Sequence, residues 1–237
     1  VDAARLRNTI LHLQGYGNRS EWEKQWEVAR WIEEELSQSG IAAAIETYEW
    51  NGKSWPNVIA RFEGSNAQAA PVLLLAHFDS ITRADDGVAP GADDNGSGVA
   101  VLLEAARLIR ENQLLRPVWF CFFSNEERGT RGSRAFVQKI LENGLKVHSA
   151  VNVDTVGYRP KSLFSDLDAF VVNPGFKYKL KAVYRLAYNA AIAIFKSGVE
   201  VKVVGPENHH LLVDRTSTAL EGLGGLKVER LYDAGCV

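Results

Sequence analysis

Methionine is missing from all 237 residues, and cysteine occurs only twice. Two cysteines cannot make the disulfide framework of a small secreted scaffold, so the fold must rest on a packed core. Cys121 sits inside the apolar run WFCFF and reads as a buried thiol, while Cys236 is one residue from the end. Excess charge is lacking too: 27 basic residues stand against 29 acidic ones. That balance gives no steering toward nucleic acid or an anionic membrane, and neither is expected as a partner. No apolar run approaches the roughly 18 residues of a membrane-spanning helix. No Gly-x-Ser-x-Gly elbow of a serine hydrolase occurs either. The chain begins at Val1, which a processed secreted protein would explain, although a fragment would start the same way. A periplasmic or secreted location is the expectation.

What is present suits a sizeable core: hydrophobic residues make up 46% of the chain, with six Trp. The length fits one large α/β domain, so a single catalytic domain over residues 1–237 is expected. Residues 2–14 read as a helix with Leu6, Ile10 and Leu13 on one face. Residues 20–37 read as a second, with Ser20 and Glu23 at capping-box spacing, a stripe of Trp22, Trp26, Ala29 and Ile32–Leu36, and Gly40 as its stop. Strands are expected at 41–49 and 57–63 around the Asn51-Gly52 turn. From residue 72 onward strand and helix alternate: strands at 72–79, 117–124, 148–154 and 199–204, helices at 96–112, 132–143 and 176–195. The pattern predicts an α/β fold, a mostly parallel twisted sheet with helices on both faces in three layers.

Acidic and imidazole side chains recur where these strands end. His77 and Asp79 follow PVLLLA, Glu126 and Glu127 follow PVWFCFF and SN, and Asp154 follows SAVNV. Asp93 and Asp94 open the helix after the first of these strands. Open α/β sheets bind ligands beyond the carboxyl ends of their strands. Carboxylates gathered there repel one another unless cations hold them together. His77 can bind a divalent metal, and Asp79, two residues on, lies on the same side of an extended strand and can hold the imidazole in one tautomer. Of Asp93 and Asp94, a bland reading absorbs one as a helix cap and leaves the other as a carboxylate able to bridge two metals. Glu126 and Glu127 project differently, so one can bind metal while the other handles a proton. An adjacent glutamate pair is usually a solvated surface feature; the apolar strand before this one argues otherwise.

The segments AHFDS, PGADDNGSG, SNEERGTRGS and NVDTVGY resemble the successive motifs of the co-catalytic dizinc aminopeptidase family. That family includes bacterial leucyl and Streptomyces-type aminopeptidases, aminopeptidase Y, relatives of prostate glutamate carboxypeptidase, and glutaminyl cyclases. The match runs over residues 71–158 in the expected order. It implies a zinc-exopeptidase-like fold and two zinc ions per chain, with a peptide bearing a free N-terminus as substrate. His77 and Asp154 would bind one zinc, Asp94 would bridge both, and Glu127 would bind the second. Glu126 would be the general base that takes a proton from the attacking water, and Asp79 would orient His77. The resemblance also implies a cis peptide bond between Asp94 and Asn95.

One element of the family pattern is missing. A Ser-Asp-His run should supply a His to the second zinc, and no such run exists. His209 or His210 in PENHHLLVDR can take that place. Alternatively, Asp214-Arg215-Thr216-Ser217 resembles the lead-in to the run, with Thr218 and Ala219 where Asp and His belong. The third reading, slightly favoured, is that the chain stops or skips residues before the true ligand. His12 and His148 read as structural. The expected activity is therefore a zinc-dependent exopeptidase, most simply an aminopeptidase. The alternatives are a single-zinc acyltransferase of the glutaminyl-cyclase type and a non-catalytic domain that has lost a ligand.

Overall fold

The computed structural model describes residues 1–82, 87–112, 114–157, 199–206 and 226–233. The chain divides into two compact units, Val1–Tyr158 and Arg159–Val237. In the first, helices α1 (Ala3–Gly15) and α2 (Trp22–Gln38) precede a hairpin of β1 (Ala43–Trp50) and β2 (Lys53–Phe62). There follow β3 (Val72–His77), α3 (Gly96–Ile109), β4 (Val118–Phe123), α4 (Arg131–Glu142) and β5 (Ser149–Asn152). In the second unit, β6 (Val199–Pro206) pairs in parallel with β7 (Leu226–Asp233). The strand at 226–233 was not among the expected elements, and the helix expected at 176–195 lies outside the described residues.

The five strands of the first unit lie in the order β1-β2-β4-β3-β5. The neighbours β4, β3 and β5 are parallel, whereas β2 is antiparallel to both β1 and β4. Only β2 therefore opposes the common direction. Chain order reverses at β3, which has β4 on one side and β5 on the other. This switch point places the loops after β3, β4 and β5 at one end of the sheet.

Alternation along the strands sorts the core into two halves. Val58, Ala60, Ala76, Phe78, Phe120 and Phe122 pack with Leu13, Ile32, Leu36, Val99 and Leu102 from α1, α2 and α3. Ile59, Leu73, Cys121 and Phe123 face the other way, against Phe136 and Ile140 of α4. Full burial of a Phe such as Phe120 or Phe122 contributes about 1.5–3 kcal/mol. Helices thus cover both faces, in three layers. Among the described residues no helix is long and apolar enough to cross a membrane.

Local signals explain most boundaries. The hairpin turns on Asn51 and Gly52, both at positive φ (50° and 71°), as a two-residue loop with right-handed strand twist requires. Helix α2 ends where Gly40 N–H donates to Ser37 and Ile41 N–H donates to Leu36, with Leu36 and Ile41 both buried. That is the double bond and apolar contact of a Schellman stop. The start of α2 differs from expectation. Its cap position is Glu21, and no side chain caps it. The Asn18 side chain accepts from Ser20 N–H, and the Ser20 hydroxyl turns to Glu21 instead of the helix amides. Trp22 and Trp26 also depart from the core stripe: half-buried, both donate indole N–H to the Ser54 carbonyl on β2.

Candidate metal centre

Strand β3 delivers His77 to the carboxyl end of the sheet, where it is only 3% exposed. Its Nδ1 lies 3.2 Å from the Asp79 carbonyl oxygen and 3.4 Å from Asp79 Oδ1. Its Nε2 lies 3.2 Å from Asp94 Oδ1 and 3.7 Å from Asp154 Oδ2. One ligand atom from each of His77, Asp94 and Asp154 falls within 4.8 Å of the other two. His77 ends β3, Asp94 lies in the loop between β3 and α3, and Asp154 follows β5.

Two loops are tied together to bring Asp94 and Asp154 into register. Asn95 Nδ2 donates to Val153 O, and Asn95 Oδ1 accepts from Gly98 and Thr155 N–H. Ser97 Oγ accepts from Val156 N–H, and Asp93 Oδ1 accepts from Gly157 N–H at 2.7 Å. Asn95, not an aspartate, is therefore the cap of α3. Asp93 belongs to the tether, which leaves Asp94 free to face His77. The Asp94–Asn95 peptide bond is cis, as the sequence resemblance implied.

The glutamates arrive by a different route. After β4 the chain turns at Asn125, which has positive φ (52°). Asp79, 1% exposed, accepts Glu126 N–H on Oδ1 at 3.0 Å and Glu127 N–H on Oδ2 at 3.2 Å. One carboxylate thus touches the imidazole and holds the backbone of both glutamates. Behind the turn lies a neutral network. Asn125 Nδ2 donates to the Tyr48 hydroxyl, Gln25 Nε2 donates to Asn125 Oδ1, and Asn57 accepts from Ser124 while donating to the Gly132 carbonyl. The Glu126 and Glu127 carboxylates themselves make no hydrogen bond or ion pair to a described residue. They stand outside the His77 group as defined by the 4.8 Å limit.

Charge follows geometry. Burial alone would push His77 down, but the carboxylates of Asp154, Asp79 and Asp94 outweigh it and raise the imidazole to about 12. Asp94 is held below the usual carboxylate range, first by its bond to His77 and further by Arg19. Burial raises both glutamates; Glu127, which also feels Asp94, reaches about 7. Without a cation, a proton on His77 holds the three carboxylates together.

The donor set fits a divalent metal. One imidazole nitrogen and two carboxylates converge, and Asp154 Oδ1 is buried with no hydrogen-bond partner among the described residues. Buried carboxylate oxygens are ordinarily satisfied, so this one is set up for a ligand. Imidazole with carboxylate suits zinc and similar ions. His209 and His210 lie outside the described residues, as do Asp214–Ala219. Sequence reasoning missed Arg19, Asn57, Gln25 and Tyr48. The partners that tie them to the site are tens of residues away in the chain, and no short motif marks them.

Comparison with known proteins gives the family of the chain. The family model described as "Peptidase family M28" matches residues 57–208. A probable leucine aminopeptidase of Trichophyton verrucosum is 34% identical over 148 residues, covering 57% of this chain and 38% of its own. Leucine aminopeptidase 1 of Arthroderma gypseum is 30% identical over 170 residues, 65% of this chain and 44% of its own. The chain thus spans less than half the length of these curated relatives. The LapA aminopeptidase of Legionella pneumophila has the same fold, with a TM-score of 0.71 at 21% identity over 97% of this chain and 54% of that one. A glutaminyl cyclase of Tannerella forsythia matches with a TM-score of 0.66 at 18% identity, over 98% of this chain and 78% of that one. The matched span includes every strand-end residue described above, and the chain belongs to peptidase family M28.

Proposed function

We propose that this protein is a zinc-dependent exopeptidase, an aminopeptidase that hydrolyses the N-terminal residue of peptides. The convergence of His77, Asp94 and Asp154, with Asp154 Oδ1 buried and unpartnered among the described residues, beside two glutamates of raised pKa, carries this reading. His77 Nε2, Asp94 and Asp154 would hold one zinc. Asp94 and Glu127 would share a second, with His209 or His210 as the further ligand. When bound, zinc supplies Lewis acidity, polarising a carbonyl and lowering the pKa of water.

The protein's own groups do the rest. Asp79 keeps His77 Nδ1 engaged, so that Nε2 faces the carboxylates. Through the Glu126 and Glu127 amides it also fixes where the glutamates project. Glu126 takes a proton from the attacking water and returns it to the departing amine. Its raised pKa suits it to both steps, because a base works best when its pKa lies near the working pH. The second unit is proposed to be part of the same catalytic domain, and the location to be periplasmic or secreted.

The test is hydrolysis of aminoacyl arylamides by the full chain with zinc supplied. Release of arylamine, lost on chelation and in Glu126→Gln, supports the proposal. No turnover of any aminoacyl arylamide by zinc-loaded, folded protein would sink it. Cyclisation of an N-terminal Gln peptide in place of hydrolysis would move the assignment to the glutaminyl-cyclase branch.

A further inference from the structure

Arg19 is fully buried in the loop between α1 and α2, and among the described residues no carboxylate pairs with it. Its guanidinium spends its donors on backbone. Nε donates to Phe78 O at 2.7 Å, Nη1 to Leu13 O at 3.0 Å and Pro90 O at 2.6 Å, and Nη2 to Gly91 O at 2.9 Å. Its own amide donates to Ser80 Oγ, and that hydroxyl donates to Ala89 O. A buried, unpaired charge is costly and is ordinarily replaced. Burial pulls Arg19 down to about 10, and the charges of Asp79 and Asp94 counter that pull.

The four acceptors have a definite place in the chain. Phe78 stands between His77 and Asp79, and Gly91 is two residues before Asp93. The guanidinium therefore grips both ends of the segment that separates His77 from Asp94. Gly91 O also accepts Gly96 N–H, the first amide of α3. Packing at this point leaves no slack. A Cβ on Gly91 would meet Arg19 Nη2 at 2.5 Å, Asp94 O at 2.6 Å and Ser80 Cβ at 2.6 Å. A planar fork with five N–H donors on three nitrogens reaches all four carbonyls, whereas an ammonium offers three donors from a single point.

We propose that Arg19 is a positioning residue of the metal centre: by stapling Phe78 to Pro90 and Gly91 it sets the separation of His77 from Asp94. This rests on the reading of His77 and Asp94 as metal ligands.

The experiment measures zinc affinity by chelator competition, and the visible absorption of the cobalt-loaded protein, for the full wild-type chain, Arg19→Lys and Ser80→Ala. Folding of each is checked by circular dichroism. Arg19→Lys keeps the charge and loses the fork. It should fold, bind zinc about 10–100-fold more weakly, as groups that orient ligands do, and shift the cobalt bands. A folded Arg19→Lys with wild-type affinity and spectrum overturns the staple and leaves the metal reading standing. If Arg19→Lys does not fold, Ser80→Ala decides, since it loosens the same segment with the guanidinium in place. Several-fold weaker zinc with shifted bands supports the staple, and wild-type values overturn it. Wild-type protein that binds neither metal overturns both readings.

Discussion

The two halves of the site are held by opposite means. On the β3–β5 side, His77, Asp94 and Asp154 face one another as charges, and the imidazole is locked among carboxylates. On the β4 side, Glu126 and Glu127 are fixed among the described residues through their main chain: both amides donate to Asp79, and the Glu126 carbonyl accepts from Gly129 and Thr130 N–H. Neutral groups (Tyr48, Gln25, Asn57, Asn125) support the turn from behind, and the glutamate side chains stay free of described partners. On the proposed reading, the carboxylates of Asp94 and Asp154 are already engaged with His77. Glu126, the base, and Glu127, the ligand of a second zinc, are instead held by their main chain with their side chains free of described partners. Asp79 is the one residue that belongs to both halves.

Breaking each half separately should therefore give different signatures. The largest effect is expected from Glu126→Gln, which keeps shape and backbone bonds and removes the base. The proposed kcat should fall about 100- to 10,000-fold with zinc affinity unchanged, read by steady-state kinetics beside a zinc titration. A parallel loss of zinc would erase the distinction between the halves. Asp79→Ala should damage both: two amides lose their acceptor and His77 loses its orienting partner. Zinc affinity and activity are each expected to drop about 10–100-fold, with a loss of stability measured by urea denaturation.

The charged half should also respond to pH. A pKa raised from 6.5 to about 12 means that the folded, metal-free His77 binds a proton that the unfolded chain has lost over that window. The contribution is fully present below the unfolded value and disappears as pH climbs toward the folded one. Glu127, raised to about 7, has the same sign over its own window. Metal-free protein should thus lose stability as pH rises through neutrality. Zinc has to displace the His77 proton, so its binding should tighten as pH rises. The rise in Tm on adding zinc should accordingly grow from about pH 6 to about pH 8; a rise that shrinks or stays constant would contradict this picture of the charged half. The smallest effect is expected from Tyr48→Phe on the neutral side. Ser124 and Asn125 lose a partner, which should cost about 1–3 kcal/mol of stability and only a few-fold in rate, with the zinc titration unmoved.

The same contrast explains what could be read from the sequence. The charged half was visible because each ligand candidate follows an apolar strand or opens a helix, features that a local window reveals. His77 and Asp154 were named on that basis, Asp94 was singled out from the Asp93–Asp94 pair by the family resemblance, and the three are brought together. The hairpin turn at Asn51-Gly52 and the stop at Gly40 were legible for the same reason, since their chemistry lies within a few residues. The residues that support the site were not. Arg19 sits in YGNRS as an ordinary loop residue, and its role appears only when Phe78, Pro90 and Gly91 fold against it. Asn95 caps α3 and ties that loop to Val153, where the local pattern offered an aspartate as the cap. Ser20 misled in the other direction: its spacing to Glu23 is right for a capping box, but the Asn18 turn before it rotates the hydroxyl away.

The central claim is that His77, Asp94 and Asp154 form a metal site. Anomalous diffraction at the zinc edge, from crystals of the full chain grown with zinc, tests it most directly. A peak within bonding distance of His77 Nε2 and of carboxylate oxygens of Asp94 and Asp154 is expected. Zinc located elsewhere, or no peak among these three residues, would contradict it.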